Sequence, residues 1–181
     1  MNWRKLLGRP ETIWFPLLLM ILLADCRRPV RLPPEEQEPD RNERMEKVNE
    51  FLVVKDEEVI RNFIGRMGWE MERTESGLWY MIMERGDGPA VTPGKTVAYD
   101  YRISLLDGTL CYSSEEDGAK TIRTGYSGEG AGLEEGVLML REGGYARFIM
   151  PPHLAFGLLG DGQRIPARAT LVYEVWVRDV Q

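Results

Sequence analysis

Residues 143–177, GGYARFIMPPHLAFGLLGDGQRIPARATLVYEVWV, decide the fold. They read as a strand over 145–150, a turn-rich excursion opened by Pro151 and Pro152, and a closing strand over 170–177. In the closing strand Leu171, Tyr173, Val175 and Val177 recur at the period of two that lines one face of a sheet, with Thr170 and Glu174 on the other. The excursion carries Ala155-Phe156-Gly157 and Arg164-Ile165-Pro166, apolar groups on a loop. Such a loop either plugs the core of its sheet or walls a pocket.

Working back towards the N-terminus, a short helix is expected over 133–140, with Glu134 and Glu135 in its first turn and Gly143-Gly144 beyond its end. Asp107-Gly108 is a hairpin signal. It joins a strand over 97–105, whose Val97, Tyr99, Tyr101, Ile103 and Leu105 share a face, to a return strand over 109–113. A further strand, LWYMIM over 78–83, lies between the turn signals Ser76-Gly77 and Gly86-Asp87-Gly88. Residues 41–67 are helical in pattern, with Val59, Ile60, Phe63, Ile64 and Met67 at three- and four-residue intervals and Gly68 as the stop. That helix either packs on its own domain or serves as a dimerisation arm. The elements together predict an α+β fold, an antiparallel sheet with one inserted helix, preceded by a helical segment.

The 181 residues, 43% hydrophobic and 29% charged, support one core plus extensions. A net charge of −6 argues against nucleic-acid binding, which needs a basic face to neutralise phosphates. Two cysteines, Cys26 and Cys111, and a single histidine, His153, do not supply a disulfide framework, a thiolate or histidine metal centre, or a serine triad, so no cofactor or metal is expected. His153 reads as a polar loop residue.

At the N-terminus Arg4, Lys5 and Arg9 precede the apolar run IWFPLLLMILLA over 13–24. At about 12 residues this is too short for a spanning helix, which needs ~20, and it matches the core of an export signal. Leu23-Ala24-Asp25 before Cys26 resembles the lipobox of bacterial lipoproteins, which implies acylation at Cys26; Asp25 departs from the small residue usual there. An ordinary signal peptide and an uncleaved anchor are the alternatives. Residues 27–40, RRPVRLPPEEQEPD, are rich in proline and charge and read as an extended tether. The expected organisation is thus a lipoprotein signal over 1–26, the tether over 27–40, a helical extension with the first strand over 41–85, and a folded domain over 86–181.

Five motifs in that last segment, VAYDYRISLLDGTLCYSS (97–114), GLEEGV (132–137), AFG (155–157), IP (165–166) and ATLVY (169–173), stand in the order and spacing of the FKBP-type peptidyl-prolyl isomerase domain, which the segment resembles. The N-terminal half looks like the gliding-motility-associated FKBP-type lipoproteins of Bacteroidetes. The resemblance implies a curved antiparallel sheet wrapped around a short helix, with a shallow apolar pocket between them. It also implies that this pocket is formed by Tyr101, Tyr112, Leu133 as its floor, Phe156, Ile165 and Tyr173. The implied substrates are proline-containing segments of unfolded exported proteins; the expected place is the outer membrane, lipid-anchored and, since Arg27-Arg28 after Cys26 are unlike an acidic surface-export signal, facing the periplasm.

The chain departs from the family pattern at several of these positions. Cys111-Tyr112 replaces a Phe-Asp pair, Phe156 lacks the hydroxyl of the usual tyrosine, and Leu133 replaces a tryptophan. Glu129-Gly130 replaces an aliphatic pair, and Asp161 stands where histidine is common. Two readings follow: an isomerase that works by shape and desolvation, or a binding or chaperone module of the same fold with little catalysis.

Overall fold

The structure, a computed structural model, describes residues 41–181, with side chains from Glu43 onward. The expected export signal, the acylation at Cys26 and the tether over 27–40 lie outside the described residues. The elements that build the candidate site belong to one compact unit, Met45–Gln181.

Helix α1 (Arg41–Met67) ends where Gly68 turns to a φ of +65°, a conformation that costs glycine little and a side chain more. The strands are β1 (Glu72–Arg73), β2 (Trp79–Glu84), β3 (Thr96–Leu105), β4 (Leu110–Ser113), β5 (Lys120–Arg123), β6 (Tyr145–Met150) and β7 (Leu171–Val180). Two short helices, α2 (Ser114–Asp117) and α3 (Ala131–Val137), and a 3₁₀ turn at Pro152–Leu154 complete the chain. The strands form one antiparallel sheet in the order β1-β2-β6-β7-β3-β4, with β5 also on β3.

Strand β3 is long enough to hold two partners end to end along one edge. Its first half, Thr96 to Tyr99, pairs with β5, and its second half, Arg102 to Ser104, pairs with β4. Between them the Tyr101 N–H donates to a side chain, Ser114 Oγ, at 3.3 Å. A register shift lets Cys111 bulge out of β4 into the core, where it is 1% exposed.

The alternation seen in the sequence decides which face is inner. Val97, Tyr99, Tyr101, Ile103, Phe148, Tyr173 and Val175 all turn into the main core, which α3 covers. Helix α3 comes close to β6 because its sheet-facing side is glycine: a Cβ on Gly136 would stand 2.8 Å from the Phe148 ring, and one on Gly132 3.1 Å from Met150 Sδ.

The structure differs from the sequence reading at several boundaries. Strand β7 starts at Leu171 rather than 170 and continues to Val180; its continuation pairs Val180 with Val97. Helix α3 begins two residues earlier than expected and stops at Val137, since Gly130 already accepts the N–H of Leu133 and Glu134. Strands β1 and β5 and helix α2 carry no clear periodicity, being two to four residues long. The outer face of the sheet is also apolar in part: Trp79, Ile149 and Val172 form a second cluster with Ile60 and Phe63 of α1. The C-terminal half of α1 therefore packs on its own domain, while Met45, Val48, Phe51 and Val54 in the N-terminal half are exposed.

Candidate functional site

Tyr101 and Ile103 are carried by β3, and Tyr173 by its neighbour β7; the pairing of these strands brings the rings of Tyr101 and Tyr173 to a centroid distance of 6.5 Å. Leu133 on α3 and Ile165 on the β6–β7 loop stand in the same cluster. Tyr101, Leu133, Ile165 and Tyr173 are all 3% exposed or less and share one core cluster, with Tyr112 packed against it. Phe156 stands apart: it is exposed, on the outer part of the same loop.

The loop that holds Ile165 is latched to β4 by residues at which the chain departs from the pattern it resembles. The Tyr112 hydroxyl donates to Asp161 Oδ2, while Asp161 Oδ1 accepts the backbone N–H groups of Gln163 and Ile165, each at 2.8 Å. Burial pushes the Asp161 carboxyl up, but the Tyr112 hydroxyl and those two N–H groups outweigh it and leave it below the usual carboxylate range. Arg164 adds to the latch, donating to the Cys111 carbonyl at 2.9 Å with its guanidinium 5.0 Å from the Tyr112 ring centroid. Two substitutions that look unrelated in the sequence, at 112 and 161, are thus one hydrogen-bonded pair.

On the other side of Tyr101 lies Lys120. Its ammonium sits 5.1 Å over the Tyr101 ring and 3.2 Å from Glu129. Glu129 is delivered by the loop after β5, which α3 anchors: Glu134 accepts the N–H of Gly125 at 3.0 Å and of Ser127 at 3.1 Å, and the Ser127 hydroxyl as well. The Ser127 hydroxyl is the main cause that holds the Glu134 carboxyl low. The Tyr99 ring lies 6.0 Å from that of Tyr101. Burial pushes the phenols of Tyr99, Tyr101 and Tyr173 upward.

This arrangement supplies no nucleophile paired with a base, and no group of three or more metal-ligating side chains stands together among the described residues. What it offers is a buried cluster of aromatic and aliphatic side chains, Tyr101, Leu133, Ile165 and Tyr173, with the Lys120–Glu129 ion pair beside it. Lys120, Glu129 and Tyr99 are not among the site residues read from the sequence. Tyr99 shares the period-two face of Tyr101 and could have been found there. Lys120 carries no such signal and Glu129 stands out only as a departure from the resembled pattern, because only the fold sets the two together.

Residues 88–178 match the family model described as FKBP-type peptidyl-prolyl cis-trans isomerase. Among curated proteins, a probable FKBP-type isomerase FkpA of Neisseria meningitidis is 38% identical over 105 residues, covering 58% of this chain and 38% of that protein. FkpA of Escherichia coli is 32% identical over 111 residues, covering 61% of this chain and 40% of that protein. The chain thus spans less than half the length of these relatives. The crystal structure of FkpA from Escherichia coli superposes with a TM-score of 0.62 at 26% identity, covering 92% of this chain and 81% of that one.

Proposed function

Since the chain belongs to the FKBP-type peptidyl-prolyl cis-trans isomerase family, we propose that it accelerates the rotation of X-Pro peptide bonds in unfolded or partly folded proteins. The observation that carries this reading is the convergence of Tyr101, Leu133, Ile165 and Tyr173 between the sheet and α3.

Rotation about an X-Pro bond crosses a barrier of ~18–20 kcal/mol because it breaks amide conjugation. The twisted state separates less charge than the planar amide, so moving the bond from water to an apolar wall favours the twist. A thousandfold acceleration needs only ~4 kcal/mol, within reach of a proline ring held against Tyr101 and Tyr173. Tyr112 shapes the rim through Asp161 rather than lining the centre, and Phe156 supplies an exposed apolar edge to the chain flanking the proline.

The wider setting belongs to the same proposal. The chain is exported and held by a lipid on Cys26, with residues 27–40 as a tether, at the periplasmic side of the outer membrane; the apolar run before Cys26 supports the export, and Leu23-Ala24-Asp25-Cys26 the lipid. Among the described residues no helix is long and apolar enough to cross a membrane. The kinship to gliding-motility lipoproteins rests on the N-terminal half of the sequence. Exported proteins with proline-limited folding are the clients this setting provides.

A second reading, a binding module with little catalysis, is favoured by one observation: the ammonium of Lys120 covers the Tyr101 ring. Refolding of a denatured protein whose slow phase is limited by prolines separates the two. The isomerase reading expects a faster slow phase at catalytic amounts of the protein. An unchanged slow phase with less aggregation would select the binding module.

A further inference from the structure

The Tyr99 phenol is an anomaly of the core. Its residue is 0% exposed, and among the described residues its hydroxyl has no hydrogen-bond partner. A buried hydroxyl left unpaired is costly, and phenylalanine would fill the same space without that cost. A tyrosine at this position is accounted for if the hydroxyl is paired in another state of the molecule; Ser113 Oγ is the other buried side-chain atom without a partner among the described residues.

The surroundings say which state. Tyr99 stands on the same face of β3 as Tyr101, its ring 6.0 Å from it, and both share a cluster with Tyr173 and Leu133. Its cross-strand neighbour is Lys120, whose side chain passes over Tyr101 to Glu129. A proline ring seated on Tyr101 has to displace that flexible lysine from the ring that packs beside Tyr99. Two other candidate donors drop out, since Phe156 has no hydroxyl and that of Tyr112 is given to Asp161; the hydroxyls of Tyr101 and Tyr173, unlike that of Tyr99, are not fully buried without a partner.

We propose that the Tyr99 hydroxyl is a substrate-binding group, donating a hydrogen bond to a backbone carbonyl of the bound prolyl segment once Lys120 has moved aside. The inference rests on the prolyl-isomerase reading of the same pocket, and its test is chosen so that the two can fail separately. Binding then satisfies a donor that the empty protein leaves orphaned, so the phenol lowers the stability of the free fold and raises the affinity for substrate.

The test is Tyr99→Phe in the full chain. The expected result is a Tm equal to or above that of the parent, with kcat/KM for a proline-containing tetrapeptide lowered roughly two- to tenfold, the range of a neutral hydrogen bond. A kcat/KM unchanged in the folded variant would overturn the proposal, as would a lowered Tm with unchanged activity, which marks a structural hydrogen bond. Independently, the Tyr99 signal of tyrosine-labelled parent protein, identified by its loss in the variant, should shift when the tetrapeptide is titrated in; a signal that stays put while other site signals move would also overturn it. A parent protein that binds the peptide without accelerating isomerisation counts against the isomerase reading alone, and the titration still decides the role of Tyr99.

Discussion

Arg168 donates from Nη2 to both carboxylate oxygens of Asp56, at 3.0 Å each, and so ties the loop that carries Ile165 to helix α1 on the outer face of the sheet. Arg168 holds a φ of +57°, the one described residue other than glycine with a positive value. The ion pair helps hold the chain in a turn that its own side chain disfavours, since a left-handed non-glycine residue costs roughly 1–2 kcal/mol. Arg168→Gly should therefore retain more stability than Arg168→Ala, by about 1 kcal/mol in denaturant unfolding. Asp56→Ala should speed hydrogen exchange across 156–169, while exchange in β3 stays as it is.

Two glycines in helices should respond to alanine with opposite signs. In α1 an alanine methyl at Gly65 would meet nothing within 4 Å, so Gly65→Ala should stabilise by about 0.5–1 kcal/mol through backbone entropy. In α3 a methyl on Gly136 would meet the Phe148 ring at 2.8 Å, so overpacking of ~1–3 kcal/mol outweighs the gain in helix propensity. Gly136→Ala should lower the unfolding midpoint, and thermal unfolding of the two variants checks both signs.

The acid limb of stability should report the carboxylates that pin the two loops of the site. Asp161 and Glu134 both have folded values below their ordinary ones. Their contributions are complete above the unfolded values, roughly 3.9 and 4.3, and vanish as pH falls through the lower folded values. Stability should thus drop as pH falls from about 5 towards 3. The variant Asp161→Asn with Glu134→Gln should be less stable at neutral pH and show a flatter acid limb. Unfolding followed by circular dichroism across that range would reveal parallel curves if the loops do not depend on these groups.

The inner core of this fold can be read from alternation. Tyr99, Tyr101, Tyr173 and Val175 lie on the faces their spacing predicts, and all four are buried. The docking of α1 is harder to see, because the neighbours Phe148 and Ile149 are buried on opposite faces and period-two reasoning assigns only one face to the core. The proposed site is legible where a side chain's place follows from its strand, as for Tyr101 and Tyr173. It is not legible where partners lie far apart in the chain, as with Tyr112 and Asp161, or where a lysine folds over a neighbouring ring, as Lys120 does. Phe156 shows the converse: a motif position says which residue is present, and the loop decides that it faces solvent.

The proposed activity depends most on whether this apolar junction of sheet and helix lowers the barrier to X-Pro rotation. The direct measurement is the cis-to-trans relaxation of a proline-containing tetrapeptide at 25 °C with increasing amounts of the full chain. Uncatalysed relaxation takes ~10–100 s. The expected rate rises in proportion to the protein added and falls back when Tyr173 is replaced by alanine in a folded variant; a relaxation rate that stays at its uncatalysed value with micromolar protein would contradict the isomerase reading.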